Sequence, residues 1–189
     1  MSSSHAEFGT SIHADASVRL ARVADAVAIA RVQVECWRTW WGESLGPTFL
    51  EALDPSDIAQ QWAYGIRMPP PGAHRVLIAE SAASAVGFAA SAPASDPDHV
   101  DAGSVAELVE LLVSPTALGK GHGSRLLTAI ADLAREDGIT ELVAWIGTAD
   151  SAKIAFLESA GWGRDGAERE LDVDAVRKLT QVRLVTLLA

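Results

Sequence analysis

The chain has 189 residues, 49% of them apolar, which suits one domain with a full core and excludes a disordered chain. A formal net charge of −10 excludes nucleic acid as the main partner, since phosphate backbones are held by a basic stripe; it suits a cationic or amine-bearing ligand, and equally plain solubility. The single cysteine, Cys36, rules out an intrachain disulfide and a cysteine-based metal site.

In chain order, residues 1–16 are small and polar and read as a mobile tail. They lack the basic and apolar segments of a signal peptide, and no later run approaches the ~20 apolar residues of a membrane span, so a cytoplasmic protein is expected. Residues 17–22 alternate as a first strand. Asp25 can cap a helix running to about Trp40, and a second helical stretch runs from Gly46-Pro47 toward Tyr64 with a break expected at Asp54-Pro55. Residues 75–80 and 86–91 predict a hairpin, followed by an irregular loop over 92–103. The strand at 104–113 ends at Ser114-Pro115, because proline removes a ladder donor. A glycine turn then opens a helix that runs to about Glu136. Beyond it come a strand at 140–146, a helix at 151–160, a turn at Asp165-Gly166, and closing strands near 167–173 and 181–187. The order predicts a single-domain, mixed α/β fold.

The turn, Leu118-Gly119-Lys120-Gly121-His122-Gly123-Ser124, carries the chemistry. A glycine-rich turn at a helix start offers bare N–H groups and the helix dipole to a phosphate. A nucleotide-kinase loop would need Lys-Ser/Thr after its last glycine, whereas Ser124-Arg125 follows Gly123. A dinucleotide fingerprint fits Gly119, Gly121 and Ser124 loosely, but Glu141, at the right distance, opens the next strand instead of ending it. On these residues alone, a turn that only caps its helix stays open.

A second constellation follows the next strand: Asp150-Ser-Ala-Lys153-Ile-Ala-Phe156-Leu157-Glu158-Ser-Ala-Gly161-Trp162. Together the two resemble the Gcn5-related N-acetyltransferase (GNAT) family. Its coenzyme A loop, Arg/Gln-x-x-Gly-x-Gly/Ala, is matched from Leu118 to Gly123. Its Asn-x-x-Ala-x-x-Phe-Tyr-Glu-x-x-Gly-Phe signature is matched from Asp150 to Trp162. The departures are Leu118 for Arg or Gln, Asp150 and Lys153 for Asn and Ala, and Leu157 for the tyrosine that protonates the departing thiolate in many members.

The resemblance implies the acyl-CoA N-acyltransferase fold, a mostly antiparallel sheet flanked by helices, over 17–189. It implies acetyl-CoA as co-substrate, no metal, and transfer to an amine on a small molecule or peptide. Nucleic acid and membrane are not expected as partners; a homodimer is an option. Leu111, Leu112 and Val113 would pair with the pantetheine arm. Gly119, Lys120, Gly121, His122, Gly123 and Ser124 would hold the pyrophosphate, with Asp150 and Phe156 also on the cofactor. The amine needs a base, for which Glu107 is the first candidate and Glu110 the second. Strict alternation puts the two on opposite faces of the strand, unless a bulge intervenes. Trp37 and Trp41, four apart on one helical face, would wall the acceptor, although core packing explains them at least as well. Cys36 and Tyr64 read as packing residues, His122 as an incidental phosphate contact, and the five histidines show no ligand spacing. The rival reading is a coenzyme A-binding sensor or interaction module, motivated by Leu118 and Leu157.

Overall fold

The computed structural model describes residues 16–95, 103–173 and 177–188. The tail over 1–15 and the middle of the 92–103 loop lie outside the described residues. The strands are β1 (Ala16–Leu20), β2 (Arg75–Ser81), β3 (Ser84–Pro93), β4 (Val105–Val113), β5 (Glu141–Gly147), β6 (Gly163–Asp172) and β7 (Lys178–Leu187). The α-helices are α1 (Ala26–Trp40), α2 (Gly42–Glu51), α3 (Pro55–Arg67), α4 (His122–Glu136) and α5 (Ser151–Ser159). One seven-stranded sheet runs β1-β2-β3-β4-β5-β7-β6. All neighbours are antiparallel except β4 and β5. This is the mixed α/β fold that the element order predicts, with the mostly antiparallel sheet that the resemblance implies.

Alternation along the strands divides the core between two faces. Leu77 and Ala79 of β2 turn toward α4 and α5, which supply Leu126, Leu127, Ile130, Ala134, Ile154 and Leu157. Ile78, Phe88 and Leu112 turn the other way and meet Ile29, Val32 and Cys36 of α1. Those α1 positions recur every three or four residues, so one stripe of the helix is apolar.

Beyond α1 the expected break at Asp54-Pro55 is present: Asp54 caps α3 by accepting the Ser56 N–H at 2.7 Å, with Pro55 first in that helix. The sequence reading is revised ahead of that break, where α2 starts at Gly42 and not after Gly46-Pro47. Gly46-Pro47 sits inside α2 as a kink, Gly46 taking φ +74°. Asp165-Gly166 lies within β6, where the pairing with β7 slips between Arg164 and Glu168. It is a bulge held by Arg183, whose Nε donates to Asp165 at 2.7 Å, and so does not form the expected turn ahead of the strand.

Two irregularities prepare the site. Opposite β3, Ala90 faces Glu110 while Ser91 faces Leu108, which leaves Val109 extra, unpaired and exposed. The bulge reverses the parity of β4: Ala106, Leu108, Leu111 and Val113 all face α4 and α5. Glu107 and Glu110 therefore share the other face, the one that strict alternation denies them. Second, β4 and β5 pair only at Val105, Ala106 and Glu107, opposite Glu141, Leu142 and Val143. Beyond that point the two parallel strands part and leave a gap in mid-sheet.

Candidate active site

The gap opens into two adjoining cavities. The larger, about 720 Å³, is lined by Leu111, Leu112 and Val113 of β4, the glycine turn, and the start of α5 through Phe156. The smaller, about 220 Å³, lies between α1, α2, β4 and the ends of β5 and β7. Trp41, Leu111, Ala149, Asp150 and Lys153 line both, so the cavities meet there.

The end of the larger cavity at the turn is built from backbone. Gly119 takes φ +71° and Gly121 φ +76°, a left-handed conformation in which a side chain is strained. The turn aims the first amides of α4 outward, with Gly121 as N-cap. Arg125 donates from Nη1 to the Lys120 carbonyl at 3.0 Å, so its charge lies against the turn, and the Lys120 ammonium reaches the Thr116 carbonyl at 3.3 Å. The helix dipole, the turn's amides and these two cations give this end of the cavity a chemistry that suits an anion. Gly119, Gly121, His122, Gly123 and Ser124 line the cavity; Lys120 lies outside its lining. His122 is buried, its Nδ1 has no partner, and burial, then the Arg125 and Lys120 charges, lower its pKa. A neutral imidazole adds no charge to that site. Leu118 is exposed beside it.

On β4, Ser114 donates its N–H to the Val86 carbonyl of β3. Alternation then turns the Leu111 and Val113 amides the other way, into the gap. Leu111 N–H meets the carboxylate of Glu110, Oε1, at 3.2 Å. The same oxygen accepts from Lys153 Nζ at 3.1 Å, and both side chains are about 85% buried, with exposures of 14% and 15%. Lys153 Nζ also lies 5.5 Å from the Trp41 ring centroid. Asp150 caps α5 by accepting the Lys153 N–H at 3.0 Å. Glu110 thus stands in the smaller cavity at the junction, whereas Glu107, half-buried on the same face, lines neither cavity.

Trp37, Trp41 and Phe49 form one aromatic wall of the smaller cavity, with centroids 6.5 Å apart for the tryptophan pair and 6.0 Å for Trp37 with Phe49. Both tryptophans also pack on the α1 core cluster, so wall and core are one role here. Trp145 faces them from β5, with the Arg169 guanidinium 4.4 Å from its ring. Cys36 is buried; burial first, then nearby Glu35 and Glu110, push its thiol up to about 12, and Sγ donates to the Val113 carbonyl at 3.4 Å. Tyr64 is exposed and lines neither cavity, and Leu157 is sealed in the core.

Sequence reasoning missed Lys153, Phe49, Trp145 and Gln181, the last of which also lines the smaller cavity. Trp145 carries a signal in the alternation of β5. Lys153 carries one only as a charged residue where the family pattern has alanine. Phe49 and Gln181 carry none, because their approach depends on the α2 kink and the β7 register.

Several solved structures share the fold. The chain is 24% identical to ribosomal-protein-alanine N-acetyltransferase from Brucella melitensis (TM-score 0.70), covering 91% of this chain and 99% of that one. It is 15% identical to the PaiA N-acetyltransferase of Thermoplasma acidophilum, solved with coenzyme A (TM-score 0.69; 91% and 98% covered). It is 19% identical to a phosphinothricin acetyltransferase of Sinorhizobium meliloti, solved with acetyl-CoA (TM-score 0.69; 93% and 89% covered). No curated protein matches the chain. Over residues 29–162, from the first helix through both signatures, the sequence matches the Acetyltransferase (GNAT) family, and the chain belongs to that family.

Proposed function

We propose that the protein transfers the acetyl group of acetyl-CoA to a primary amine, on a small molecule or a peptide, by direct attack and without a covalent enzyme intermediate. The observation that carries this reading is the meeting of two cavities beside a carboxylate: a larger one ending at the glycine turn, and a smaller, aromatic-walled one holding Glu110. Coenzyme A fits the first by its chemistry. The turn suits its diphosphate, and the gap-facing amides of β4 suit its amide-bearing arm. That PaiA and the S. meliloti enzyme were solved with coenzyme A and acetyl-CoA supports the same co-substrate here.

In this mechanism the backbone of Leu111, Leu112 and Val113 orients the thioester, and the Val113 N–H, fixed toward the gap, stabilises the oxyanion, while the Leu111 N–H is held by Glu110 Oε1. Trp37 and Trp41 hold the body of the acceptor, while its amine points to the junction. A free alkylammonium, with a pKa of about 10.4, must lose a proton before it attacks. Glu110 is the base, since it reaches both the acceptor cavity and the strand that presents the thioester. Glu107, deeper on the same face, acts at most through water.

The test is thiol release from acetyl-CoA across a broad panel of amines, with Glu110→Gln and Glu107→Gln alongside. Glu110→Gln should lower kcat/KM by about 10²–10⁴-fold at unchanged acetyl-CoA affinity, and Glu107→Gln by much less. Acetyl-CoA binding with no turnover on any amine would instead favour a coenzyme A-binding sensor or interaction module.

A further inference from the structure

Lys153 is explained neither by the anion-binding turn nor by the aromatic wall. The family pattern has alanine at this position, and four residues on, where it has tyrosine, the chain has Leu157, fully buried in the core. The site thus lacks a phenol and gains an ammonium one helical turn earlier. That ammonium lines both cavities and bonds Glu110 Oε1 at 3.1 Å. Burying an ion pair to this degree costs desolvation that structure alone often fails to repay.

We propose that Lys153 receives the departing thiolate, and that Glu110 and Lys153 work as a bonded base and acid. The proposal rests on the acetyl-transfer reading above. The amine reaches the thioester neutral, its ammonium proton already passed through Glu110 to solvent, and it attacks the carbonyl carbon, forming the C–N bond. As the C–S bond breaks, its electron pair goes to sulfur, and the Lys153 ammonium holds the anion. Glu110 takes the proton that the new amide nitrogen sheds. Lys153 gives a proton to sulfur and regains one from Glu110 across their hydrogen bond. Amine and thioester have become amide and thiol, and both side chains are restored with no proton drawn from solvent. The other titratable groups about the junction are Glu35 and Cys36 from α1 and Asp150 from α5. Asp150 is engaged as a helix cap, and the Cys36 thiol is held protonated by burial.

The test reads the thiol directly. Coenzyme A bound to the intact protein is titrated by its ultraviolet thiolate absorbance, and acetyl-CoA affinity is measured by calorimetry. A free thiol ionises near 8.5, and an opposite charge at contact favours the anion, so in the wild type the bound thiol should ionise about tenfold or more in favour of thiolate. Lys153→Met should return it to the free value and lower kcat about 10²-fold with acetyl-CoA affinity unchanged. Lys153→Arg should keep most of the ionisation shift. A wild-type thiol that titrates like free coenzyme A, or a shift that survives in Lys153→Met, overturns the proposal while leaving acetyl transfer standing. Absence of acetyl-CoA binding would overturn both.

Discussion

At Gly121 the backbone bends into the left-handed region, and the nearest side chain to a Cβ placed there is the Arg125 guanidinium, 3.2 Å away at the end of a flexible chain. Aspartate and asparagine enter this conformation more readily than other residues. The two can therefore separate charge from strain. Gly121→Asp should fold and lose acetyl-CoA affinity by about 10²-fold or more, since like charges in contact cost several kcal/mol. Gly121→Asn, of the same size, should lose far less. Calorimetry of the two folded variants decides: equal losses would mean that bulk, and not a bound diphosphate, governs the turn. Single residues of this kind were the most legible in the sequence, because a glycine spacing records a backbone conformation locally. The Glu110–Lys153 pair was not legible, since its partners are 43 positions apart and meet only through the fold.

Among the elements, the ones set by periodicity were readable and the ones set by tertiary fit were not. The stripes of α1 and α4, the break at Asp54-Pro55 and the strand-ending Ser114-Pro115 announce themselves within a few residues, whereas the cap expected at Asp25 is not made, because its carboxylate accepts from the Arg22 N–H and from Arg19 instead. The bulge at Val109 does not: nothing in Glu-Leu-Val-Glu-Leu says that one residue will be skipped, and only the opposing register of β3 fixes where. That skipped residue decides whether both glutamates face α1. The α1–α2 corner gives a prediction of its own. Its tryptophans, Phe49, Leu45 and, across from them, Trp145 and Leu179 make the proposed acceptor cavity mostly apolar. Amines with an apolar or aromatic body should therefore outcompete hydrophilic amines of similar length. Trp41→Ala should raise KM for such amines about tenfold, the effect of losing roughly 1.4 kcal/mol of contact, and change kcat less. An acceptor panel that shows no preference, or one that Trp41→Ala leaves intact, would refute this assignment.

Across the whole molecule, arginine–aspartate clamps tie the sheet together near its two ends. Arg19 of β1 holds Asp25 at 2.8 Å, ahead of α1, and Glu80 of β2 at 2.8 Å. Arg183 of β7 holds Asp165 in the β6 bulge. The Arg19 hydrogen bond lowers the Asp25 pKa against the effect of burial, and the Arg22 N–H adds to it. At Asp165 burial pushes upward but is outweighed by the Ala167 N–H and Arg183. Both carboxyls thus titrate lower folded than unfolded, and the unfolded chain binds more protons through that range. Their contribution is complete above the unfolded value of about 3.9 and is lost as pH falls through the folded values. Denaturant midpoints followed from about pH 6 down to pH 2 should show this acid limb. Arg19→Met should flatten part of it and cost about 1–2 kcal/mol at neutral pH. An acid limb identical in Arg19→Met would remove Asp25 from the account.

The parting of β4 from β5 has a consequence for the life of the protein between turnovers. A sheet ordinarily keeps its unpaired edges at its margins, where charge and twist guard them against sticking to other chains. Here a length of edge lies in the interior, along the stretch of β4 past Glu107. On the proposed function the donor lies along that edge, so each catalytic cycle alternately covers and uncovers it. Covering it also favours the folded state, by about 2.7 kcal/mol when free donor stands at a hundred times its dissociation constant. The supply of acetyl-CoA would then govern how long the protein lasts as well as how fast it works, and starvation for the donor would leave it most open to aggregation.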